Sequence, residues 1–310
     1  MNGERRAVFI INPAAGGLPR RVKLDAAIET ASAEFGLSTQ VVQTEAPGHA
    51  TALAAEAEAD GAELIIVCGG DGTLNEAING VRSTEVAVGQ VPGGTANVWA
   101  KEAGIPRNPE QALREQLSGP SVVIDAGRAD ERRFLLMASY GLDAAAVAAV
   151  NARLKRWSGP VAYIVAGIRV GVRYPGFRVR LRFDEGAAET VDAAMMVFGN
   201  TRRYGGGAQI TRGASAVDGL LDCVVFRGHG VLPTLRMVPT VLRGRHLGSP
   251  RVLYRQAREV RIETIDDDAL PPLQVDGDAE PSGATVVRAE AKALRMLAPR
   301  AERPVFRRGG

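Results

Sequence analysis

VCGGDGTLNEAING, residues 67–80, places one carboxylate among three closely spaced glycines, between an apolar run and a helical pattern. The run Glu63–Cys68 predicts a buried strand that ends at the glycines. From Thr73 onward apolar residues recur at intervals of three and four, which predicts a helix. A glycine-rich turn between strand and helix presents backbone N–H groups beside the positive end of a helix dipole, which suits phosphate. A plain turn without a ligand has the same pattern, so this loop alone leaves both interpretations open.

Three better-known phosphate-binding motifs are absent from the sequence. The Rossmann fingerprint requires a third glycine where Asn75 stands. No Walker GxxxxGK[ST] run occurs. Neither HRD nor DFG occurs, which excludes the protein-kinase machinery.

Strand and helix patterns alternate through the first 125 residues. Strands are predicted at Arg6–Asn12, Thr39–Gln43, Glu63–Cys68 and Val86–Val91, and helices at Arg20–Phe35 and His49–Ala59. Such alternation is typical of a parallel sheet covered by helices on both faces, whose ligands bind at the carboxyl ends of the strands. Three glycine-rich loops follow those ends: NPAAGG at 12–17, GGDGT at 69–73 and PGGTAN at 92–97. Together they predict a ligand site at one edge of the sheet.

The pattern changes after about residue 122 to short alternating runs. Strands are predicted at 122–127, 134–139, 179–183, 193–197, 221–226, 259–263 and 273–275. A helical insert at about 144–174 interrupts them. The sequence therefore predicts a doubly wound α/β domain over 1–122 and a β-sandwich-like domain with a helical insert over 123–298. The basic tail 299–310 is expected to be frayed.

The cysteines and the apolar segments indicate the cellular compartment of the protein. Cys68 and Cys223 each lie in an apolar strand-like run without metal-ligand neighbours, which predicts buried thiols in a reducing compartment. The first residues lack the apolar core of a signal peptide. The longest apolar stretch, 160–172, contains Arg169 and is shorter than the roughly 20 residues that span a bilayer. The expectation is a cytoplasmic protein.

Basic charge is concentrated in one segment. Net charge is +3, yet eight Arg or Lys residues and no Asp or Glu lie between Asn151 and Phe183. A solvated face explains this run, and so does a patch for anionic lipid headgroups or nucleic acid. Tyr163, Ile164 and Ile168 nearby fall at helical spacing and favour a membrane over nucleic acid. We therefore predict a peripheral association with an anionic membrane surface.

The ordered set of motifs resembles the diacylglycerol kinase catalytic-domain family, which includes bacterial lipid kinases and sphingosine kinases. The motifs are NPAAGG, GGDGTLNEAING and PGGTANVWA, followed by GNTRRYGGGAQIT, VDGLLDCVVF and QVDGD. They keep the family's order from residue 12 to 278. GGDGT alone is shared with NAD kinases and phosphofructokinases, so the order carries the specificity.

The resemblance implies a nucleotide site in the first domain. ATP would be the co-substrate and Mg²⁺ the cofactor, held on the phosphates by Asp71 directly or through water. The matching nucleotide-contacting positions are Asn12, Pro13, Ala14, Ala15, Gly16, Thr44, Gly70, Asp71, Gly72, Thr73, Leu74, Asn75, Glu76 and Thr95.

The resemblance also implies functional residues in the second domain. Asp276 matches the catalytic base, which accepts the proton of the lipid hydroxyl, and Asp278 stands where the family usually has Glu. On its own the Asp-Gly pair also suits a hairpin turn. Asp218, with main-chain oxygens of Ser215 and Leu220, matches a structural Mg²⁺ site of some bacterial members; a tight turn capped by Asp218 is the alternative.

The function expected is an ATP-dependent lipid kinase that converts diacylglycerol into phosphatidic acid. One alternative is an NAD kinase-like small-molecule kinase, although the Asn-Asn-Glu run expected for its substrate is missing. A second is a catalytically silent lipid-binding protein on the same fold, for which Asp278 in place of Glu is the motif-level hint. Members of this family can form homodimers, and the sequence shows no pattern that identifies a dimer interface.

Overall fold

Two compact units make up the described part of the chain. The computed structural model describes residues 4–19, 21–142, 144–145, 175–204, 208–228, 237, 239–265, 270–280, 283–300 and 302–307. Unit 1 is formed from Met1–Ala126 with Ala291–Arg308, and unit 2 from Gly127–Glu290. The predicted helical insert at 144–174 lies outside the described residues, apart from its first two positions.

The described strands are β1 (Arg5–Ile11), β2 (Leu37–Gln43), β3 (Leu64–Gly69), β4 (Ala87–Pro92), β5 (Ser121–Ala129), β6 (Arg132–Phe134), β7 (Met137–Gly141), β8 (Phe177–Phe183), β9 (Glu189–Gly199), β10 (Leu221–Arg227), β11 (Val252–Ala257), β12 (Glu259–Thr264), β13 (Leu273–Val275), β14 (Asp278–Glu280) and β15 (Val286–Leu297). The helices are α1 (Arg21–Phe35), α2 (His49–Ala59), α3 (Asp71–Gly80), α4 (Val98–Ala103) and α5 (Pro109–Leu117).

Unit 1 contains a parallel sheet in the order β2-β1-β3-β4, with the end of β15 beside β4. Side chains alternate across it: Phe9 and Ile11 of β1 pack with Leu24 of α1 and Leu113 of α5. Helices α2 and α3 contact each other, and they contact β1 and β3, respectively. Helices therefore cover both faces, and the predicted doubly wound α/β fold is confirmed.

The beginning of α3 differs from the prediction. The helix begins at Asp71, with Gly70 as its N-cap, and not at Thr73. The apolar periodicity that predicts this helix begins only at Thr73, its first buried residue. The prediction therefore omitted the two residues before it, Asp71 and Gly72. Asp71 consequently lies in the first turn of a helix, where the dipole stabilises a negative side chain.

Unit 2 is antiparallel. Its strands run β14-β13-β7-β9-β8-β12 with the start of β15 beside β12, while β10 pairs with β9 and β11 with β10. Buried side chains form its core, including Tyr140, Phe198 and Val225 of these strands and Phe134 of β6. The β-sandwich-like second domain is confirmed at the level of the fold.

One predicted strand of unit 2, residues 134–139, is wrong as a continuous element. It is divided into β6 and β7 by Leu135 and Leu136. The N–H groups of these two leucines donate to the side-chain carboxylate of Asp276. A donor used in this way cannot serve a neighbouring strand, so the ladder is interrupted there.

The tail is also more ordered than predicted. Residues Pro304–Phe306 form a 3-10 helix and Val305 is fully buried. Charge and Pro content suggested fraying, but one apolar side chain that finds a buried site is sufficient to fix the segment.

No helix in the described ranges is long and apolar enough to cross a membrane.

Candidate active site

The three glycine-rich loops of unit 1 converge, as predicted from their position after parallel strands. Asn12 Nδ2 donates to Thr73 Oγ1 at 2.8 Å, which joins the first loop to the second. Gly17 N–H donates to Gly93 O at 2.8 Å, and Gly93 N–H donates to Gly69 O at 2.9 Å. Each loop is therefore hydrogen-bonded to at least one other, and together they form one surface at the carboxyl edge of the sheet.

The glycines of these loops have two different roles. A Cβ added to Gly94 would lie 2.7 Å from Gly70 Cα, closer than real Cβ atoms come to other heavy atoms. A Cβ added to Gly16 meets nothing within 4 Å. Gly94 is thus required by the packing of the loops, whereas Gly16 leaves space open for a ligand.

We expect Gly94→Ala to lower both the Tm and the affinity for Mg-ATP, because the new methyl group forces the loops apart. Gly16→Ala should leave the Tm unchanged and weaken Mg-ATP binding alone, since its methyl group occupies only open space. Thermal unfolding and isothermal titration of both variants check this. Equal Tm losses in the two variants would contradict the distinction.

Asp71 is held by the start of the next helix. Its Oδ2 accepts from Val98 N–H at 2.9 Å and its Oδ1 from Trp99 N–H at 3.1 Å. Burial raises the pKa of the Asp71 carboxyl, while these two amides and the charge of Lys101 act in the opposite direction. The carboxylate is therefore fixed in orientation and only partly compensated in charge.

The surroundings of Asp71 fit Mg²⁺ held together with phosphates. In the described part of the chain, no three His, Cys, Asp or Glu residues gather where they could hold a metal by themselves. Mg²⁺ is usually bound by one or two carboxylates together with substrate phosphates and waters. A single oriented carboxylate is therefore the number of ligands expected from the protein. Each carboxylate oxygen has two lone pairs, and one amide donor engages each oxygen of Asp71.

The remaining predicted nucleotide residues lie in these loops or, for Thr44, after β2. Pro13, Ala14, Gly16 and Thr95 are exposed, and Ala15 and Gly72 are half-buried. Thr44 is buried beside the end of β1, where its N–H donates to Ile11 O.

Three of the predicted residues face the protein with their side chains. Leu74 and Asn75 are 1% exposed, so at most their backbone can face a ligand. Glu76 Oε2 accepts from Ala50 N–H at 3.3 Å in the first turn of α2. These side chains shape the loop, and the nucleotide contacts predicted for Leu74, Asn75 and Glu76 stay a prediction.

Sequence reasoning missed Asn97, which shapes the third loop. Asn97 adopts a left-handed conformation with φ 46°, its Oδ1 accepts from Gly94 N–H and its Nδ2 donates to Gly94 O. Asparagine is one of the few residues that visit this conformation routinely, so its place directly before a helix was an available signal.

Gln90 was also missed. This fully buried residue donates from Nε2 to Gly69 O at 3.2 Å, behind the second loop. A glutamine in an apolar strand is the signal, because a buried amide requires a partner.

In unit 2, Asp276 occupies a strained turn between β13 and β14. Its φ is 49°, and its carboxylate accepts three backbone N–H groups: Leu135 to Oδ2 at 2.8 Å, and Leu136 and Met137 to Oδ1 at 2.9 and 2.8 Å. These donors fix the orientation of the carboxylate. The turn is fixed further by Gln274 Oε1, which accepts from Gly277 N–H at 2.6 Å.

Asp278 differs from Asp276 in its surroundings. Its side chain is 46% exposed and lies 3.6 Å from the Arg132 guanidinium. The two candidate catalytic carboxylates are thus next to each other in one turn, the first bound to backbone amides and the second beside a basic side chain. The Asp-Gly pair does form the turn of the β13–β14 hairpin, which its sequence also suited, and the catalytic function of the two carboxylates stays a prediction.

The predicted structural metal residues lie in one loop before β10. Asp218 Oδ1 accepts from Leu220 N–H at 3.0 Å, and Ser215 Oγ accepts from Val217 N–H at 3.4 Å. This is the turn capped by Asp218, and it leaves the metal site a prediction.

The basic segment is described only at its end, on β8. Arg178 pairs with Asp192 at 2.9 Å, and Arg180 lies 3.6 Å from Glu263. These two arginines are therefore compensated, and the membrane patch predicted at Arg153, Lys155 and Arg156 lies outside the described residues.

Comparison with known proteins agrees with this geometry. Residues 6–129 match the diacylglycerol kinase catalytic domain, and residues 137–298 match the YegS C-terminal NAD kinase beta sandwich-like domain. A diacylglycerol kinase of Mycobacterium tuberculosis is 32% identical over 251 residues, covering 76% of this chain and 80% of the relative. One of Staphylococcus carnosus is 27% identical over 278 residues, covering 89% of each chain. The crystal structure of a Bacillus anthracis diacylglycerol kinase superposes with a TM-score of 0.78 at 23% identity, covering 96% of this chain and 98% of the other.

A glycine-loop α/β unit with a half-buried, oriented carboxylate, joined to a β-sandwich-like unit, defines a two-domain kinase. The chain belongs to the diacylglycerol kinase catalytic-domain family. The family predicted from the ordered motifs is therefore confirmed.

Proposed function

We propose that the protein transfers the γ-phosphate of ATP to a hydroxyl of a membrane lipid, with diacylglycerol as the acceptor and phosphatidic acid as the product. The observation that carries the proposal is the convergence of three glycine-rich loops around the oriented carboxylate of Asp71. Because the matching relatives in M. tuberculosis and S. carnosus are diacylglycerol kinases, this lipid is the first candidate acceptor.

Unit 1 binds and orients the nucleotide in this proposal. Backbone N–H groups of the loops approach the phosphates closely, because glycines leave no Cβ in the way. Asp71 would hold Mg²⁺, which neutralises charge on the phosphates when it is bound. Asn12 and Thr73 keep the first two loops together while the ligand is present.

Unit 2 supplies the proton acceptor. The lipid hydroxyl oxygen forms a bond to the γ-phosphorus, the bond from that phosphorus to the β-γ bridging oxygen breaks, and ADP leaves. The proton of the hydroxyl passes to Asp276, with Asp278 beside it. One oriented carboxylate suffices for this step, because phosphoryl transfer depends mainly on positioning and charge neutralisation.

Lipid access is proposed to involve the basic, apolar segment at 144–174, which would bring the enzyme to an anionic membrane surface as a cytoplasmic peripheral protein. Charge reversal at Arg153, Lys155 and Arg156 should then weaken sedimentation with anionic vesicles. Unchanged vesicle binding would remove this part of the proposal. The proposal is the same for a monomer and for a homodimer.

The decisive assay is transfer of labelled γ-phosphate from Mg-ATP to a lipid panel in mixed micelles. Labelled phosphatidic acid from diacylglycerol supports the proposal, and label on another lipid would replace the acceptor. Label on NAD⁺ in solution without lipid would favour the NAD kinase-like alternative, consistent with the fold of the second domain. Mg-ATP binding without transfer to any acceptor would favour the silent lipid-binding protein.

A further inference from the structure

The tail of the chain packs against the helix that holds Asp71. The Phe306 ring meets the Trp99 indole edge-on, with 6.0 Å between ring centroids and 77° between ring planes. Trp99 is fully buried, as is Val305 next to Phe306. All of these residues belong to unit 1.

A second contact lies at the other end of α4. Gly104 ends this helix with φ 75°. The Arg303 guanidinium occupies the space in which a Cβ of residue 104 would lie. The tail residues Arg303 and Phe306 thus contact α4 at its C-cap and near its start, respectively.

Helix α4 depends on tertiary packing, and the tail supplies part of it. It has six residues, and helices this short are not stable in water by themselves, so tertiary packing must supply what hydrogen bonding does not. Edge-to-face aromatic pairs contribute about 0.5–1.5 kcal/mol beyond the area that they bury.

Trp99 connects the tail to the candidate site in a single residue. Its ring packs on Phe306, and its backbone N–H donates to Asp71 Oδ1. Asp71 Oδ2 is held by Val98, the neighbouring residue of the same helix turn. A displacement of the Trp99 backbone that follows loss of the ring contact would therefore move a donor to the carboxylate.

We propose that the tail segment 302–307 is a positioning element of the nucleotide site, in which Phe306 acts through Trp99 to fix the Asp71 carboxylate. This inference rests on the proposed function of Asp71 in holding Mg-ATP. Phe306 itself is a positioning residue, because its effect on Asp71 passes through Trp99.

Phe306→Ala in the full-length protein tests the inference. We expect faster hydrogen exchange at the Val98 and Trp99 amides and a loss of Mg-ATP affinity of about tenfold, because small displacements of a catalytic group have large effects. Phe306→Leu retains the apolar contact and should restore part of the affinity.

The matched control is Phe35→Ala. Phe35 is also a half-buried ring against the unit 1 core, but it lies beside Gly36, which accepts a hydrogen bond from Arg5 at the start of β1. That is the edge of the sheet opposite to the glycine loops. This variant should lower the Tm while exchange at Val98 and Trp99 and Mg-ATP affinity stay at wild-type values.

Unchanged exchange and affinity in Phe306→Ala would overturn the inference, and so would equal effects in the control. Faster exchange with unchanged affinity would also overturn it, because the tail would then stabilise the helix without positioning Asp71. A wild-type protein that binds no Mg-ATP would count against the proposed function itself. The exchange measurement needs no ligand, so the two failures remain distinguishable.

Discussion

Asp71→Asn is expected to reduce kcat/KM for Mg-ATP by on the order of 10³-fold, the scale on which loss of one preorganised electrostatic group falls. The substitution removes the negative charge proposed to hold Mg²⁺. It also replaces one carboxylate oxygen with an NH₂ group, which then faces the N–H of Val98 or Trp99. Two donors cannot satisfy each other, so the start of α4 loosens at the same time.

A control is needed for the loosened helix. Asn108 caps α5 in the same unit by accepting from Gln111 N–H at 3.1 Å, and it lies outside the candidate site. Asn108→Ala should lower the stability by about 1 kcal/mol, the usual cost of losing a cap, and leave the kinetics unchanged. If Asp71→Asn lost no more activity than this control, its role would be that of a helix cap. Steady-state kinetics at varied Mg-ATP with parallel thermal unfolding decides between them.

Asp276→Asn is expected to reduce kcat on the order of 10³-fold, within the range that general base catalysis contributes, with little change in KM for Mg-ATP. The loss arises because the amide cannot accept the hydroxyl proton. It has a structural component as well, since both oxygens accept backbone N–H groups of residues 135–137 and one of these would face the new NH₂.

Asp184 provides a matched control for the structural component. It shares the left-handed conformation, with φ 50°, and its Oδ1 accepts the N–H groups of Arg258 and Glu259. Asp184→Ala removes the acceptor of both N–H groups and should affect stability alone. An Asp276→Asn enzyme that kept its kcat while losing stability as the control does would show that Asp276 only secures the turn.

Asp278→Glu restores the residue that is usual in the family at this position. We expect this variant to retain or increase kcat in the same assay.

Sequence patterns predicted the elements that repeat at short range. The alternation of β1, α1, β2, α2 and β3 follows from hydrophobic periodicities of 2 and 3.6, which each segment carries within itself. The convergence of the loops after β1, β3 and β4 follows as well, because parallel strands place their carboxyl ends at one edge. The family resemblance added the functions of residues such as Asp71 and Asp276, which no periodicity contains.

Only the tertiary structure decided what those carboxylates contact. Asp71 finds its donors 27 and 28 residues away, and Asp276 finds its donors at separations of 139 to 141 residues. Phe306 meets Trp99 from the opposite end of the chain. A lone aspartate or phenylalanine in a loop carries no local signal for such partners, because the partners are backbone groups and a single ring brought near by folding. The sequence by itself therefore determined the sheet, the loops and the family, while the orientation of the site depends on long-range hydrogen bonds and packing.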